Sequence, residues 1–546
     1  MWRKSVWAPA LLTLATLVLY GWDVGRLPTY LYVDEVVFAL QAHSIATTAH
    51  DLSGRLLPLY FQMRPIGDNI WFHPVIVYVM APFFWVFRVT EAVIRWPSVA
   101  VGAIDVLLMY FIAKRILARE RWAILAAMLL ALTPAHFIHS RLAMDYLYPV
   151  PFVMAWLLLL LIFLERQQPW MLFAATSVLG IGVYSYIASV IMMPVYLLLT
   201  WLTIVKTSTK PGRPCLIAAA GFMWPLLILI PWTFFHAAVI GETLAKYQGG
   251  AGRYQARAPV IVQGTLLQAL ESLRHPKYFS DVVGRISLYW YFFDPSFLFV
   301  SGGYAHMVNS TRRVGVFLLP LLVFVPVGLA QLATLRRTRI DLLLLLGFAS
   351  APLAACLTTP EVYAIDRELA LLPFGILIAT VGVVRMVTAR QRRWRMVGMG
   401  LLALIPLHFA FFCVDYWRDY PRRLGFWFQG NRRGALEEII SRETPSHPTA
   451  IYLNATRIPY INAHWQLYLL KHDRQDLHRW TMYFDSKSLD VGTVPPGSLL
   501  LTTPDDAIVD ALVKSGTLRQ VAVFPEIDNP PMFALFERPS QLTDAR

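Results

Sequence analysis

Pro149–Leu164 reads PVPFVMAWLLLLLIFL, an apolar run without one charge, and residues 315–330 read GVFLLPLLVFVPVGLA. Each run approaches the ~20 apolar residues that span a bilayer. Around them lies a chain of 546 residues, 57% hydrophobic and 15% charged, with mean hydropathy +0.51. A soluble globular chain carries about 25% charged residues, so this one is short of polar surface. A soluble enzyme, a secreted disulfide scaffold and a disordered chain are excluded, and the composition is that of an α-helical polytopic membrane protein. Cys215, Cys356 and Cys413 each sit in or beside an apolar span without a sequence neighbour to pair with. Neither a disulfide framework nor a cysteine metal site is indicated. Trp2-Arg3-Lys4 and the apolar stretch to Tyr20 lack a small-residue cleavage site and read as an uncleaved first span.

The net charge of +14 does not point to nucleic acid, because the cations fall in short clusters between apolar runs. These are Arg3/Lys4, Lys114/Arg115/Arg119/Arg121, Arg166, Lys206/Lys210/Arg213, Arg336/Arg337/Arg339 and Arg390/Arg392/Arg393/Arg395. The positive-inside rule places all of them in the cytoplasm, so an even number of crossings must separate successive clusters. Between Lys4 and Lys114 three segments compete for two crossings. The middle one, 74–90, starts at His73-Pro74 and ends in Arg88 and Glu91, so it is read as an interfacial helix. The spans are then 7–22, 95–113, 122–138, 149–164, 169–184, 188–205, 215–236, 314–334, 341–357, 369–387 and 396–413. About 11 transmembrane helices with the N-terminus inside and the C-terminus outside follow. Residues 1–414 form the membrane domain, with large external loops at 23–94 and 237–313. Residues 415–546 form a small soluble α/β domain, with strands at 449–454, 480–484, 498–502, 519–524 and 532–537 and helices at 457–471 and 505–515. The polar sequence lies outside, and chemistry is expected there.

In the first external loop, Tyr32-Val33-Asp34-Glu35 opens a short amphipathic stretch. Asp34 and Glu35 are either first-turn acids favoured by the helix dipole or a carboxylate held at the bilayer edge to take a proton from a hydroxyl. In the second loop, Arg141 and Asp145 are four apart. They form an ion pair on one helical face, or they line a cavity with Asp34, where Arg141 meets an anion. The loop 237–313 carries Arg253, Arg257, Arg274 and Lys277, then the aromatic run Tyr289–Phe299 with Asp294 and Pro295, then Ser301-Gly302-Gly303 and His306. Aromatic runs anchor proteins at membrane interfaces, while cations beside them suit a lipid-linked phosphate. Arg367 at the edge of the span 369–387 pairs with Asp366 or Glu368, or serves the same phosphate. His73 and Arg64 read equally both ways. No zinc-type ligand spacing and no Gly-rich phosphate loop occurs, so nucleotide use is unsupported.

The order of these motifs resembles the GT-C superfamily of polyprenyl-phosphate-sugar-dependent glycosyltransferases. The similar branch contains the protein O-mannosyltransferases and the lipid A aminoarabinose transferases. The resemblance rests on Asp34-Glu35 in a large first loop, His73-Pro74 heading an interfacial helix, Arg95-Trp96-Pro97 opening the second span, and Ser140-Arg141 with Asp145. Phe293–Phe299 through Ser301-Gly302 and His306, and Arg367 before Leu372-Pro373, extend it over residues 20–385. Two departures leave the acceptor subclass open. His73-Pro74-Val75 stands where the family often shows His-Pro-Pro, and an acidic residue common near Asp145 is missing. The β-trefoil repeats of eukaryotic O-mannosyltransferases have no counterpart here.

The resemblance implies a bacterial inner-membrane enzyme with its active site and C-terminal domain outside the cytoplasm. It implies inverting transfer of a sugar from a polyprenyl-phosphate donor to an acceptor hydroxyl on a lipid, glycan or protein. Asp34 is the expected base, with Glu35 and Asp145 completing the acidic site. Arg141, His73, Lys277, His306 and Arg367 are expected to meet the donor phosphate. No cofactor is expected, no metal is required, and the partners are membrane lipids rather than nucleic acid. The rival is a transporter or flippase of a lipid-linked sugar, which would want charges near the bilayer midplane. A non-catalytic scaffold would leave Asp34-Glu35 and Arg141/Asp145 without a role.

Overall fold

The computed structural model describes residues 7–64, 70–206, 208–236, 288–303, 307–334, 338–358, 362–444 and 449–539. Among them, five helices are long and apolar enough to cross a membrane: Glu91–Leu117, Asp145–Arg166, Gly212–Phe235, Arg339–Leu357 and Arg392–Leu424. Shorter apolar helices include Trp7–Gly21, Val75–Val86, Pro169–Gly182, Ser189–Val205, Leu321–Leu332 and Leu371–Val387. The chain is an α-helical polytopic membrane protein with a small α/β region near its C-terminus.

Prolines account for the places where the helices differ from the expected spans. The span 122–138 is a helix Glu120–Ala131 and a separate short helix Pro134–His139. Pro134 has no N–H for a continuing ladder and disfavours helical geometry at Thr133. The span 215–236 is interrupted by a 3-10 turn, Trp224–Ile228, around Pro225. Over 314–334 only Leu321–Leu332 is helical, starting after Pro320.

Two compact units divide the chain. The first takes residues 1–22, 69–76 and 98–415, and the second takes 23–68, 77–97 and 416–546. This differs from a boundary at residue 414, because most of the first external loop groups with the tail.

In the first unit, helices approach closely where side chains are absent. A Cβ on Gly328 would fall on the Ile378 carbonyl, and one on Gly382 would fall on the Phe324 carbonyl. Lipid offers no hydrophobic drive for helix association, so such small-residue contacts supply it by close packing. This contact fixes Leu371–Val387, the helix that follows Asp366, Arg367 and Glu368. Gly328→Leu is expected to cost at least about 1–3 kcal/mol by overpacking. Gly400→Leu, at a position with open space around it, should be neutral in the same thermal-unfolding measurement.

The second unit is built on a five-stranded sheet. Its strands are β1 (Ile451–Asn454), β2 (Thr481–Phe484), β3 (Leu499–Thr502), β4 (Arg519–Glu526) and β5 (Asn529–Glu537). The order is β2-β1-β3-β5-β4. β1 runs parallel to β2 and β3, while β5 runs antiparallel to β3 and β4. Helices Arg432–Arg442 and Ile461–Lys471 bury Leu436, Ile439, Trp465 and Leu469 against Leu453, Leu501 and Leu535 of the sheet. Helix Ala507–Lys514 covers Leu500 and Phe536 with Val509.

Long-range polar contacts bring the first loop into this unit. Lys471 Nζ bonds both oxygens of the buried Glu91, at 2.7 and 2.9 Å, and Glu437 Oε1 at 2.7 Å. The Tyr468 hydroxyl donates to Glu91 at 3.4 Å, and Arg433 Nε stands 3.6 Å from it. Burial opposes ionisation of Glu437, but Lys471 and Arg433 outweigh it and hold its carboxyl below the ordinary value. Stability from Glu437 is therefore present above the unfolded carboxylate value of about 4.3. It is lost as pH falls through the lower folded value. Glu91→Ala, which strips Lys471 of its main partner, is expected to destabilise by roughly 3 kcal/mol in thermal unfolding.

Candidate active site

Asp34 and Glu35 lie in the first turn of the helix Val33–Thr48, and their neighbouring side chains have different surroundings. Asp34 is half-buried, whereas Glu35 is buried. Glu35 Oε2 accepts from the Tyr32 backbone N–H at 2.9 Å, which caps the helix. Arg95 then grips the same carboxylate, Nε to Oε1 at 2.9 Å and Nη2 to Oε2 at 3.1 Å. The guanidinium continues to the carbonyls of Val24 (3.2 Å), Pro28 (2.7 Å) and Tyr30 (2.7 Å). One buried cation thus organises the whole approach to the helix, and both Glu35 oxygens are spent on it and on the cap. Glu35 is thereby held in place beside Asp34 in the first turn. The sequence gives no signal for this pairing, because the partners are 60 residues apart. A lone arginine at the head of an apolar span is the one hint.

Further contacts fasten this segment within the same unit. The Tyr30 hydroxyl donates to Glu526 Oε2 at 2.9 Å, and Glu526 also accepts from the Asn431 backbone N–H. The Tyr32 ring meets Phe428 edge-on, with centroids 6.1 Å apart. Glu526, Phe428 and Asn431 all come from the tail.

The other expected residues that the structure describes fall in the first unit. Arg141 and Asp145 do not share a helix, which removes the basis for pairing them by spacing. The helix Pro134–His139 stops before Arg141, and Asp145 opens a 3-10 turn, Asp145–Leu147. Both are buried. Arg141 Nη1 donates to the carbonyls of Tyr20 (2.6 Å) and Trp22 (2.7 Å), at the C-terminal end of Trp7–Gly21. A cation there meets the negative end of the helix dipole. His73 is buried, and burial pushes its imidazole down to about 3. It is neutral near pH 7 and offers a hydrogen bond rather than a charge. Arg367 stands 3.7 Å from Asp366, one of its two expected partners. Glu368 is fully buried, and its carboxylate oxygens make no hydrogen bond among the described residues. Burial raises that carboxyl well above the ordinary range. Lys277 and His306 lie outside the described residues. No cluster of three or more metal-ligating side chains occurs among those described.

The interior of the first unit holds one polar constellation that sequence reading passed over. His136 Nε2 stands 3.3 Å from Asp105 Oδ2, and its Nδ1 stands 2.8 Å from the Tyr20 hydroxyl, which donates to the Ala131 carbonyl. All three side chains are buried. Asp105 sits near the middle of Glu91–Leu117, so these groups tie three apolar helices together.

Residues 72–233 match the family model described as dolichyl-phosphate-mannose-protein mannosyltransferase. No curated protein matches the sequence. Among solved structures, ArnT from Cupriavidus metallidurans bound to undecaprenyl phosphate aligns with TM-score 0.57 and 13% identity. The alignment covers 98% of this chain and 99% of that one. The apo form of ArnT aligns with TM-score 0.55 over the same shares. An Archaeoglobus fulgidus oligosaccharyltransferase, tethered to an acceptor peptide containing the NVT sequon, aligns with TM-score 0.50 and 13% identity. That alignment covers 86% of this chain and 64% of that one.

Proposed function

Since this chain carries the GT-C fold, we propose that it is an inverting glycosyltransferase drawing on a polyprenyl-phosphate sugar. The observation that carries this reading is the Glu35–Arg95 pair, which locks in place the turn that bears the half-buried Asp34. The match of residues 72–233 to the mannosyltransferase model supports a transferase. The undecaprenyl phosphate in ArnT supports a lipid phosphate as leaving group. The acceptor is a hydroxyl on a lipid, glycan or protein, and transfer takes place at the extracytoplasmic face of the inner membrane.

The acceptor oxygen attacks the anomeric carbon while the bond from that carbon to the phosphate oxygen breaks. The hydroxyl proton passes to Asp34, and polyprenyl phosphate leaves with the electron pair. General-base assistance of this kind is worth about 10²–10⁴-fold. Fixed cations and hydrogen-bond donors can meet the charge of a leaving phosphate. Arg367, Lys277 and His306 are the side chains proposed for it, with His73 adding a neutral hydrogen bond. The apolar helices hold the prenyl tail.

One observation favours the rival class, because Asp105 and His136 are the intramembrane ionisable groups a transporter would use. The deciding experiment reconstitutes the full chain in lipid and offers a panel of radiolabelled polyprenyl-phosphate sugars with a membrane extract as acceptor source. Release of free polyprenyl phosphate is expected. A donor that crosses the bilayer unconsumed would establish the flippase instead.

A further inference from the structure

The helix Val75–Val86 reads VIVYVMAPFFWV without a charge, and its end presents Trp85, Val86 and Phe87, each more than half exposed. Leu56 and Leu57 are exposed to a similar degree. Hydrogen bonds bring both groups to one end of the helix Val33–Thr48 in the second unit. Trp85 Nε1 donates to the Ala46 carbonyl at 2.8 Å, and the Leu57 N–H donates to the Ala49 carbonyl at 3.0 Å. The Tyr78 hydroxyl donates to the Pro58 carbonyl at 2.8 Å, which fastens the loop to the apolar helix. Exposed apolar side chains gathered in this way mark an interaction surface. The indole N–H is spent inward on Ala46, so Trp85 offers its apolar ring to whatever covers it. Leu56, Leu57 and Val86 offer no hydrogen bond at all. Aromatic and aliphatic groups of this kind suit a lipid interface.

Beside this tip, and within the same unit, lies a cavity of about 310 Å³, whose lining includes His43, Phe84, Trp85, Arg88, Lys471 and Asp473. Small-molecule sites begin at about 300 Å³. Lys471 is committed to Glu91 and Glu437. Burial lowers the His43 imidazole, which is neutral near pH 7. The charges left at the cavity mouth are Arg88 and Asp473, with Nη1 3.6 Å from Oδ2 and side chains 91% and 74% exposed. A pair so exposed holds weakly. A ligand carrying both charges can therefore part it and meet each partner with the opposite sign.

We propose that the tip inserts into a phospholipid surface and that the cavity seats one phosphatidylethanolamine headgroup, its phosphate on Arg88 and its ammonium on Asp473. A guanidinium matches the phosphate, and a carboxylate accepts from a primary ammonium. Phosphatidylglycerol carries no cation for Asp473, and the quaternary ammonium of phosphatidylcholine has no N–H to donate. Arg88 comes from the first loop and Asp473 from the tail, so one lipid clamps the two segments of this unit together. The proposal does not depend on the transferase reading, because neither residue takes part in the proposed chemistry.

The test holds the full chain in detergent micelles, adds dioleoyl phosphatidylethanolamine, phosphatidylcholine or phosphatidylglycerol, and counts retained lipids by native mass spectrometry. One phosphatidylethanolamine is expected to be retained at about tenfold lower concentration than either other lipid, the worth of a charge-assisted hydrogen bond. The preference over phosphatidylcholine should vanish in Asp473→Asn, and retention should weaken about tenfold in Arg88→Gln. Both side chains are exposed, so each variant should keep the wild-type Tm. Equal retention of the three lipids by the wild type, or an unchanged preference in both variants, would overturn the headgroup site. Glycerophosphoethanolamine, the same headgroup without acyl chains, should not compete. Displacement of the lipid by it at equal concentration would assign the cavity to a soluble ligand and overturn the lipid. In nanodiscs of brominated phospholipid, which quenches tryptophan near acyl chains, the quenched fraction should be smaller in Trp85→Phe than in the wild type. An equal fraction would place Trp85 outside the lipid and overturn the insertion.

Discussion

Asp34→Asn is expected to lower turnover of the lipid-phosphate sugar by about 10²–10⁴-fold, the share a positioned base contributes. The substitution keeps the size and hydrogen-bonding outline of the side chain and removes its capacity to accept a proton. Its structural cost should be small. Asp34 is in the first turn of Val33–Thr48, so the loss is the favourable meeting of carboxylate and helix dipole, about 0.3–1 kcal/mol. The capping contact and the ion pair belong to Glu35 and remain intact. Turnover and Tm measured on the same preparation therefore separate the two explanations for this acid. A large fall in turnover with Tm nearly unchanged identifies the base. Full turnover in Asp34→Asn would remove Asp34 from the chemistry and leave it as a first-turn acid only. Asp34→Glu, which keeps the charge but displaces it, is expected to recover part of the rate.

What the sequence made legible was local. Strands expected at 449–454, 480–484 and 498–502 appear as Ile451–Asn454, Thr481–Phe484 and Leu499–Thr502. The helix expected within 74–90 appears as Val75–Val86, with Trp85, Val86 and Phe87 exposed at its end. Apolar periodicity and turn residues act over a few positions, and these elements answer to them. The helix Arg432–Arg442 escaped because its sequence is dominated by charge, and only packing against the sheet reveals its apolar face. Arg141 and Asp145 were placed four apart on a helix that ends before either of them. The grouping of loop with tail escaped for a different reason. It depends on contacts such as Glu91 with Lys471, 380 residues apart, and no pattern of single residues encodes a partner at that distance.

The Glu35–Arg95 pair should show the largest stability effects in the loop, and the two partners should not be equivalent. Arg95→Met leaves a buried carboxylate and removes the donor from three carbonyls, those of Val24, Pro28 and Tyr30. Losing one partner of a buried pair costs about 3–5 kcal/mol, and each orphaned carbonyl adds to that. Glu35→Gln is milder. The amide oxygen still accepts from Tyr32, and Arg95 keeps its three carbonyls. Thermal unfolding should therefore rank wild type above Glu35→Gln and Glu35→Gln above Arg95→Met. The double variant Glu35→Met/Arg95→Met should recover stability relative to Arg95→Met, because no buried charge is left unpaired. It should not recover turnover, since the carbonyl tethers that aim the turn at Asp34 are still gone. Arg95→Lys retains the charge without the fork, and its turnover should fall further than its Tm. Recovery of turnover in the double variant would mean that the pair only stabilises the fold and that Asp34 finds its position by other contacts.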